Sequence, residues 1–163
     1  MSARGVLHVH SCPPALTPHV EWAVSGELGV RVSLSWSDQP ASAGALRAEC
    51  GWKGRAGTAG RLAATLRGWS LLRFEVTEEP SPGYDGERFS HTPTLGLWRG
   101  TTSANGDVMV GEDRLRSLLE AHREPALLAH ELHRLLGEAW DAELEPYRRG
   151  ADGVPATWLH QVV

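Results

Sequence analysis

The chain has 163 residues, 41% hydrophobic and 22% charged, with 16 basic against 20 acidic side chains for a formal charge of -4. That length buries enough surface to fold without disulfide or metal staples, and that composition excludes a disordered chain. The acidic balance argues against a nucleic-acid binder, whose non-specific affinity comes from basic side chains neutralising phosphate.

Strand and helix signals alternate through the first half. Residues 5–10 carry Val6, Leu7 and Val9 and read as a strand, ended by Pro13 and Pro14. Thr17-Pro18 then offers a helix start with a hydroxyl cap and proline in the first turn. This helix carries Val20, Ala23 and Val24 and stops at Gly26 or Gly29. Val30, Val32, Leu34 and Trp36 alternate with polar residues, a half-buried strand pattern. After a turn over residues 38–44, Leu46, Ala48, Cys50 and Trp52 alternate in the same way and complete a hairpin. Thr58 caps a second helix with Leu62, Leu66 and Trp69 on one stripe, and Leu72, Phe74 and Val76 form a further strand. The order βαββαβ predicts an α+β fold whose first half, residues 1–78, is ferredoxin-like.

Residues 78–90, rich in Pro, Gly and acid, read as a loop. Strands over residues 95–98 and 108–110 flank the hairpin dipeptide Asn105-Gly106. Helices over residues 112–122 and 125–147, a turn over 150–155 and a strand over 158–163 complete the reading. The second half, residues 79–163, is too poor in apolar side chains for its own core. It is expected to pack a β-hairpin and helices on the first half, making 1–163 a single domain.

Strand facing supplies the strongest candidate site. With Leu7 and Val9 turned to the helices, His8 and His10 point to the opposite face. A ferredoxin-like order puts Arg47, Glu49, Arg73 and Glu75 beside them. Two imidazoles, two guanidiniums and two carboxylates can bind a small anion or supply an acid and a base. They can equally be paired charges covered by the C-terminal half. The patch lacks the aromatic platform of an RNA-binding sheet.

Other constellations are weaker. His130 and His133 stand three apart, not the four of the zinc-protease motif, and flank an expected buried stripe of Leu128, Leu132, Leu135, Leu136 and Ala139. They read as a solvated face, with no metal site. Cys12 precedes a helix start near His19, where a thiol pKa can fall, but no third group orients the pair. Gly54, Gly57 and Gly60 lie between a strand and a helix, a place where free amides hold anions, yet match no phosphate-binding fingerprint. Tyr84, Asp85, Glu87 and Arg88 cluster in the acidic loop, which is either a partner-binding surface or a solvated linker. No cofactor motif is present.

The start of the sequence has no signal-peptide apolar segment, no run approaches the roughly 20 apolar residues of a membrane span, and the only cysteines are Cys12 and Cys50. These features predict a cytoplasmic protein without membrane association. The seven tryptophans leave room for a subunit of a larger complex.

Longer strings carry a resemblance. Pro18-His19-Val20-Glu21-Trp22, Leu66-Arg67-Gly68-Trp69, the run from Leu72 through Gly83, Gly86-Glu87-Arg88, Pro93-Thr94-Leu95-Gly96, Glu143-Leu144-Glu145-Pro146 and the ending Trp158-Leu159-His160-Gln161-Val162-Val163 resemble a family of uncharacterised actinobacterial proteins of about this length, a domain of unknown function. The resemblance implies no catalytic residues. It implies a setting near the genes of type II fatty-acid synthesis, and through that association a link to acyl metabolism. With no complete catalytic motif, the sequence predicts a non-catalytic binding or regulatory module acting on a protein partner or a small ligand. The alternative is a small-molecule enzyme using the His/Glu/Arg sheet face.

Overall fold

The computed structural model describes residues 2–149. The expected turn over 150–155 and strand over 158–163 lie outside the described residues. The elements run β1 (Ser2–Cys12), α1 (Thr17–Leu28), β2 (Ser37–Asp38), β3 (Leu46–Arg55), α2 (Thr58–Leu66), β4 (Arg73–Glu78), β5 (Gly86–Thr92), β6 (Gly96–Thr102), β7 (Val108–Met109), α3 (Glu112–Ala121), α4 (Pro125–Leu135) and α5 (Glu138–Arg148). The strands form one antiparallel sheet in the order β2-β3-β1-β4-β5-β6-β7, so both halves of the sequence share it.

The core lies between one sheet face and the helices α1 and α2. Leu7 and Val9 of β1, Ala48 and Trp52 of β3, Phe74 and Val76 of β4 and Phe89 of β5 meet Val20 and Val24 of α1 and Leu62 and Leu66 of α2. Each large apolar side chain buried here contributes about 1.5–3 kcal/mol relative to exposure. A bulge in β1 between Val9 and Cys12 lets both side chains reach this core despite their spacing. The other face is crossed by α5, which buries Trp140, Leu144 and Arg148. The Trp140 indole donates to the Gly96 carbonyl at 2.9 Å, and Trp98 of β6 donates to the Leu135 carbonyl at 3.2 Å.

Several expectations are corrected. Residues 30–36 form no strand, because α1 takes their polar groups. Ser25 Oγ accepts from the Val32 amide at 2.8 Å, and Glu21 Oε1 accepts from the Leu34 amide at 2.9 Å and the Trp36 indole at 3.0 Å. Pairing with β3 starts only at Ser37. The loop expected over residues 78–90 gives way at Gly86 to β5. A Cβ at Gly86 would stand 2.5 Å from Thr102 Oγ1 and 3.0 Å from the Glu78 carbonyl, so glycine marks a close strand approach there.

The long helix over 125–147 is two, split at Gly137, whose φ of 76° favours glycine. The expected buried stripe on α4 is only half-buried: Leu128, Leu132 and Leu135 are partly covered, Leu136 and Ala139 are exposed, and neither α3 nor α4 fully buries a residue. Thr17 does not cap α1 but donates back to the Pro14 carbonyl at 2.9 Å. Thr58 does not cap α2 either; its hydroxyl donates to the Arg55 carbonyl at 2.7 Å.

Candidate functional site

The polar sheet face has a closed part and an open part. In the closed part, β1 and β4 set His8 opposite Glu75, and α5 lays Arg148 over both strands. Glu75 is fully buried. Arg148 grips it bidentately, Nε to Oε2 at 2.9 Å and Nη2 to Oε1 at 2.5 Å. His10 Nε2 stands 2.7 Å from Oε2, and the Ser90 hydroxyl donates to Oε1 at 3.1 Å. Burial alone would raise the Glu75 pKa, but the bonds from His10 and Arg148 outweigh it and hold the carboxyl well below the usual range. Burial alone would lower Arg148, yet Glu75 and then Asp141, 2.7 Å from Nη2, hold it above its ordinary value.

Gln39 ties the far end of α5 down, its amide donating to the His10 carbonyl at 2.7 Å and the Tyr147 carbonyl at 3.1 Å. His8 stacks on His10 with centroids 5.7 Å apart, and its Nδ1 lies 3.6 Å from Glu49. Burial, reinforced by His10, pushes the His8 imidazole down to about 3; Glu75 opposes this, and Arg47 and Arg148 add to it. The arrangement brings His8, His10, Glu49 and Glu75 together, with Arg47 close enough for its charge to act on His8. Arg73 turns aside and lies over the Tyr147 ring, 4.5 Å from its centroid.

In the open part, a groove of about 530 Å³ runs where β1 begins, β4 and β6 end and β5 starts. Arg4 and Glu79 pair across its mouth at 2.6 Å. Thr77, Arg88 and Thr102 line it, and the turn from Ser103 to Gly106 closes one side. Arg88 lies 5.2 Å from the Trp98 ring centroid, and its Nη2 is 3.9 Å from Asp141 Oδ2. Glu87, its neighbour on β5, is ion-paired to Arg99. Tyr84 and Asp85 sit exposed on the preceding turn and do not line the groove.

The weaker candidates resolve simply. Cys12 is buried, and burial pushes its thiol up to about 11, the reverse of activation. The amides of Gly57 and Ala59 at the start of α2 are held by the protein's own Glu78 carboxylate, at 2.8 and 3.0 Å. His133 is exposed and paired with Glu138 at 2.5 Å. Among the described residues, no three His, Cys, Asp or Glu side chains are placed to hold a metal ion.

Compared with known families, residues 6–161 match the model described as protein of unknown function DUF3145. The chain belongs to that family. No curated protein and no solved structure matches it. The span matched to the family takes in the closed part of the polar face and all of the groove lining except Arg4 and Gly5. Among the described residues, no helix is long and apolar enough to cross a membrane.

Sequence reasoning missed Arg148, Asp141, Ser90, Gln39 and Thr102. Asp141, Glu145 and Arg148 look like the solvated face of a helix, where acid and base three or four apart are routine. Only the two ends of α5, pinned by Trp140 and Gln39, decide that this face turns inward.

Proposed function

We propose that the protein is a non-catalytic binding or regulatory module acting on a protein partner or a small ligand. The observation that carries this reading is the state of Glu75. A general base must reach a substrate proton, and a catalytic carboxyl is usually raised toward neutrality. Glu75 is instead buried, saturated by Arg148, His10 and Ser90, and held strongly ionised. His8 is buried and its basicity is suppressed, which weighs against the enzyme alternative on this face. The groove at the other end of the face is open to a ligand.

The order β2-β3-β1-β4, with α1 and α2 on one face, supports a ferredoxin-like assignment for residues 1–78. The shared sheet supports residues 1–163 as one domain. The actinobacterial setting, the cytoplasm and the link to acyl metabolism belong to the same proposal. Within it, a groove lined mainly by Arg, Glu, Thr, Ser and Asn suits a polar head group or a partner protein better than an alkyl chain. The net negative charge supports a partner other than nucleic acid.

The test is purification of the tagged protein from its own host under native conditions, followed by mass spectrometry of everything retained. A stoichiometric protein or small molecule supports the reading. A preparation that retains nothing, or a chemical turnover that collapses in His10→Ala, overturns it.

A further inference from the structure

We propose that Arg88 and Thr102 form a carboxylate-binding site on the floor of the groove, taking a small, singly charged organic acid. The proposal deepens the binding-module reading and rests on it. Arg88 is the anchor. Its side chain is only 15% exposed, and its Nε is buried without a hydrogen-bond partner. The nearest carboxylate, Asp141, stands 3.9 Å from Nη2, beyond hydrogen-bond range, and its other oxygen is bonded to Arg148. The Trp98 ring supports the guanidinium without accepting its N–H groups in their plane. A desolvated guanidinium with an unused donor is costly unless something accepts from it. Arg73 shares the buried, unbonded Nε but is not among the residues lining this groove, whereas Arg88 is.

A second group points the same way. Thr102 lies opposite Gly86 in the register, and Arg88 lies two residues along from Gly86 on the same face. Because position 86 is glycine, nothing covers Thr102 Oγ1 from that strand. The other two groove hydroxyls are committed: Thr77 exchanges bonds with the Val6 backbone, and Ser103 donates to Asn105 at 2.7 Å. Thr102 is left to donate to the second carboxylate oxygen, beside the planar fork of Arg88.

Charge fixes the class further. At the mouth, Arg4 pairs with Glu79; Glu87 is taken by Arg99, which lies over Phe89 on the opposite sheet face, and the Glu78 carboxylate is turned to the start of α2. Among the described residues lining the groove, Arg88 is therefore the one weakly balanced cation, matched to a single negative charge. A polyphosphate would meet Glu79 on entry and is disfavoured. A volume of about 530 Å³ falls in the ordinary range of small-molecule sites.

The test uses sodium acetate as probe and the Arg Nε–Hε resonances of nitrogen-15-labelled full-length protein as readout. Arg88→Lys assigns the Arg88 resonance by its disappearance. Acetate should move that resonance saturably while the exposed Arg31 resonance drifts only with salt. Thr102→Val should weaken binding about tenfold, the loss of one hydrogen bond to a charged group. Pyrophosphate should bind more weakly than acetate. An Arg88 resonance that tracks Arg31, unchanged affinity in Thr102→Val, or tighter binding of pyrophosphate overturns the proposal. Should Arg88→Lys fail to fold, Thr102→Val, which keeps the charge, decides alone. A species retained through native purification that leaves the Arg88 resonance unmoved overturns the groove while the binding reading stands. Nothing retained and no acetate response overturns both.

Discussion

One sheet face holds a buried arginine and a half-buried one in opposite circumstances. Arg148 enters from α5 and meets Glu75 bidentately, with Asp141 completing its shell. Arg88 rises from β5 in the same layer, yet its Nε has no acceptor and its nearest carboxylate is 3.9 Å away. Desolvation acts on both, so burial does not explain the difference. Partner supply does: the helix that satisfies Arg148 carries one aspartate toward both guanidiniums, and Arg148 has the closer claim. A cation fully matched from within holds a fold together. A cation matched at arm's length is available to something else.

The strongest way to break this comparison is to remove the partner from the closed end. Glu75→Gln keeps the shape but leaves Arg148 buried with its main counter-charge gone. Breaking such a pair typically destabilises by about 3–5 kcal/mol. Urea unfolding of Glu75→Gln should show a loss of that size; a loss below about 1 kcal/mol would mean that α5 is held by Trp140 and Leu144 and not by the ion pair.

Acid should act on the same end, with a sign that follows from the two states. Folded His8 stays neutral down to about pH 3, whereas in the unfolded chain it takes a proton near its ordinary 6.5. The unfolded state then binds more protons between those values, so stability falls as pH falls through that window. Glu75 adds to the loss below its ordinary 4.5, where the unfolded carboxyl is protonated and the folded one is still ionised. Each group contributes a slope of about 1.4 kcal/mol per pH unit while it titrates in one state only. Stability measured at pH steps from 6.5 to 4.5 should decline, and His8→Asn should flatten that decline whatever it does to the absolute value. A profile in His8→Asn parallel to the native one would show that another group titrates there.

How much of this is legible without coordinates depends on how local each cause is. The facing of His8, His10, Glu49 and Glu75 follows from a period of two, and the sequence carries it plainly. The failure at residues 30–36 is of another kind: alternation there is genuine, but Glu21 and Ser25 on α1 capture the backbone amides before β3 can. The misread of Gly86 arises because glycine marks a loop and a tight strand contact alike, and only Thr102 and Glu78 across the sheet tell them apart. Arg148 was hidden for the reason that amphipathic charge pairs on helices usually face water. Long-range partners chose the outcome in all three cases.

Glu78 offers a smaller sharpening on the opposite face. Its two oxygens accept from the Gly57 and Ala59 amides, so the core helix α2 is capped from β4 by a buried carboxylate. Glu78→Gln keeps one acceptor and loses the charge at the positive end of the helix. Losing a cap of this kind weakens stability by about 1–2 kcal/mol. Hydrogen exchange at the Gly57 and Ala59 amides should quicken in the variant more than at Leu62. Equal protection would show that the carboxylate is not what holds them.

The smallest expected effect belongs to the helices that bury no residue fully. Core helix α2 buries five residues, whereas α3 and α4 bury none, and Leu119 and Leu127 remain 59% and 52% exposed. Exposed apolar side chains contribute little to folding, since their transfer from water is barely begun. Leu119→Gln and Leu127→Gln should each change unfolding stability by no more than about 0.5 kcal/mol. Leu62→Ala in α2 should by contrast remove about 2–5 kcal/mol, as deletion of buried methyl groups does. Should Leu119→Gln approach the Leu62→Ala value, the leucine is covered in solution by further protein, and the size of the loss would measure that cover.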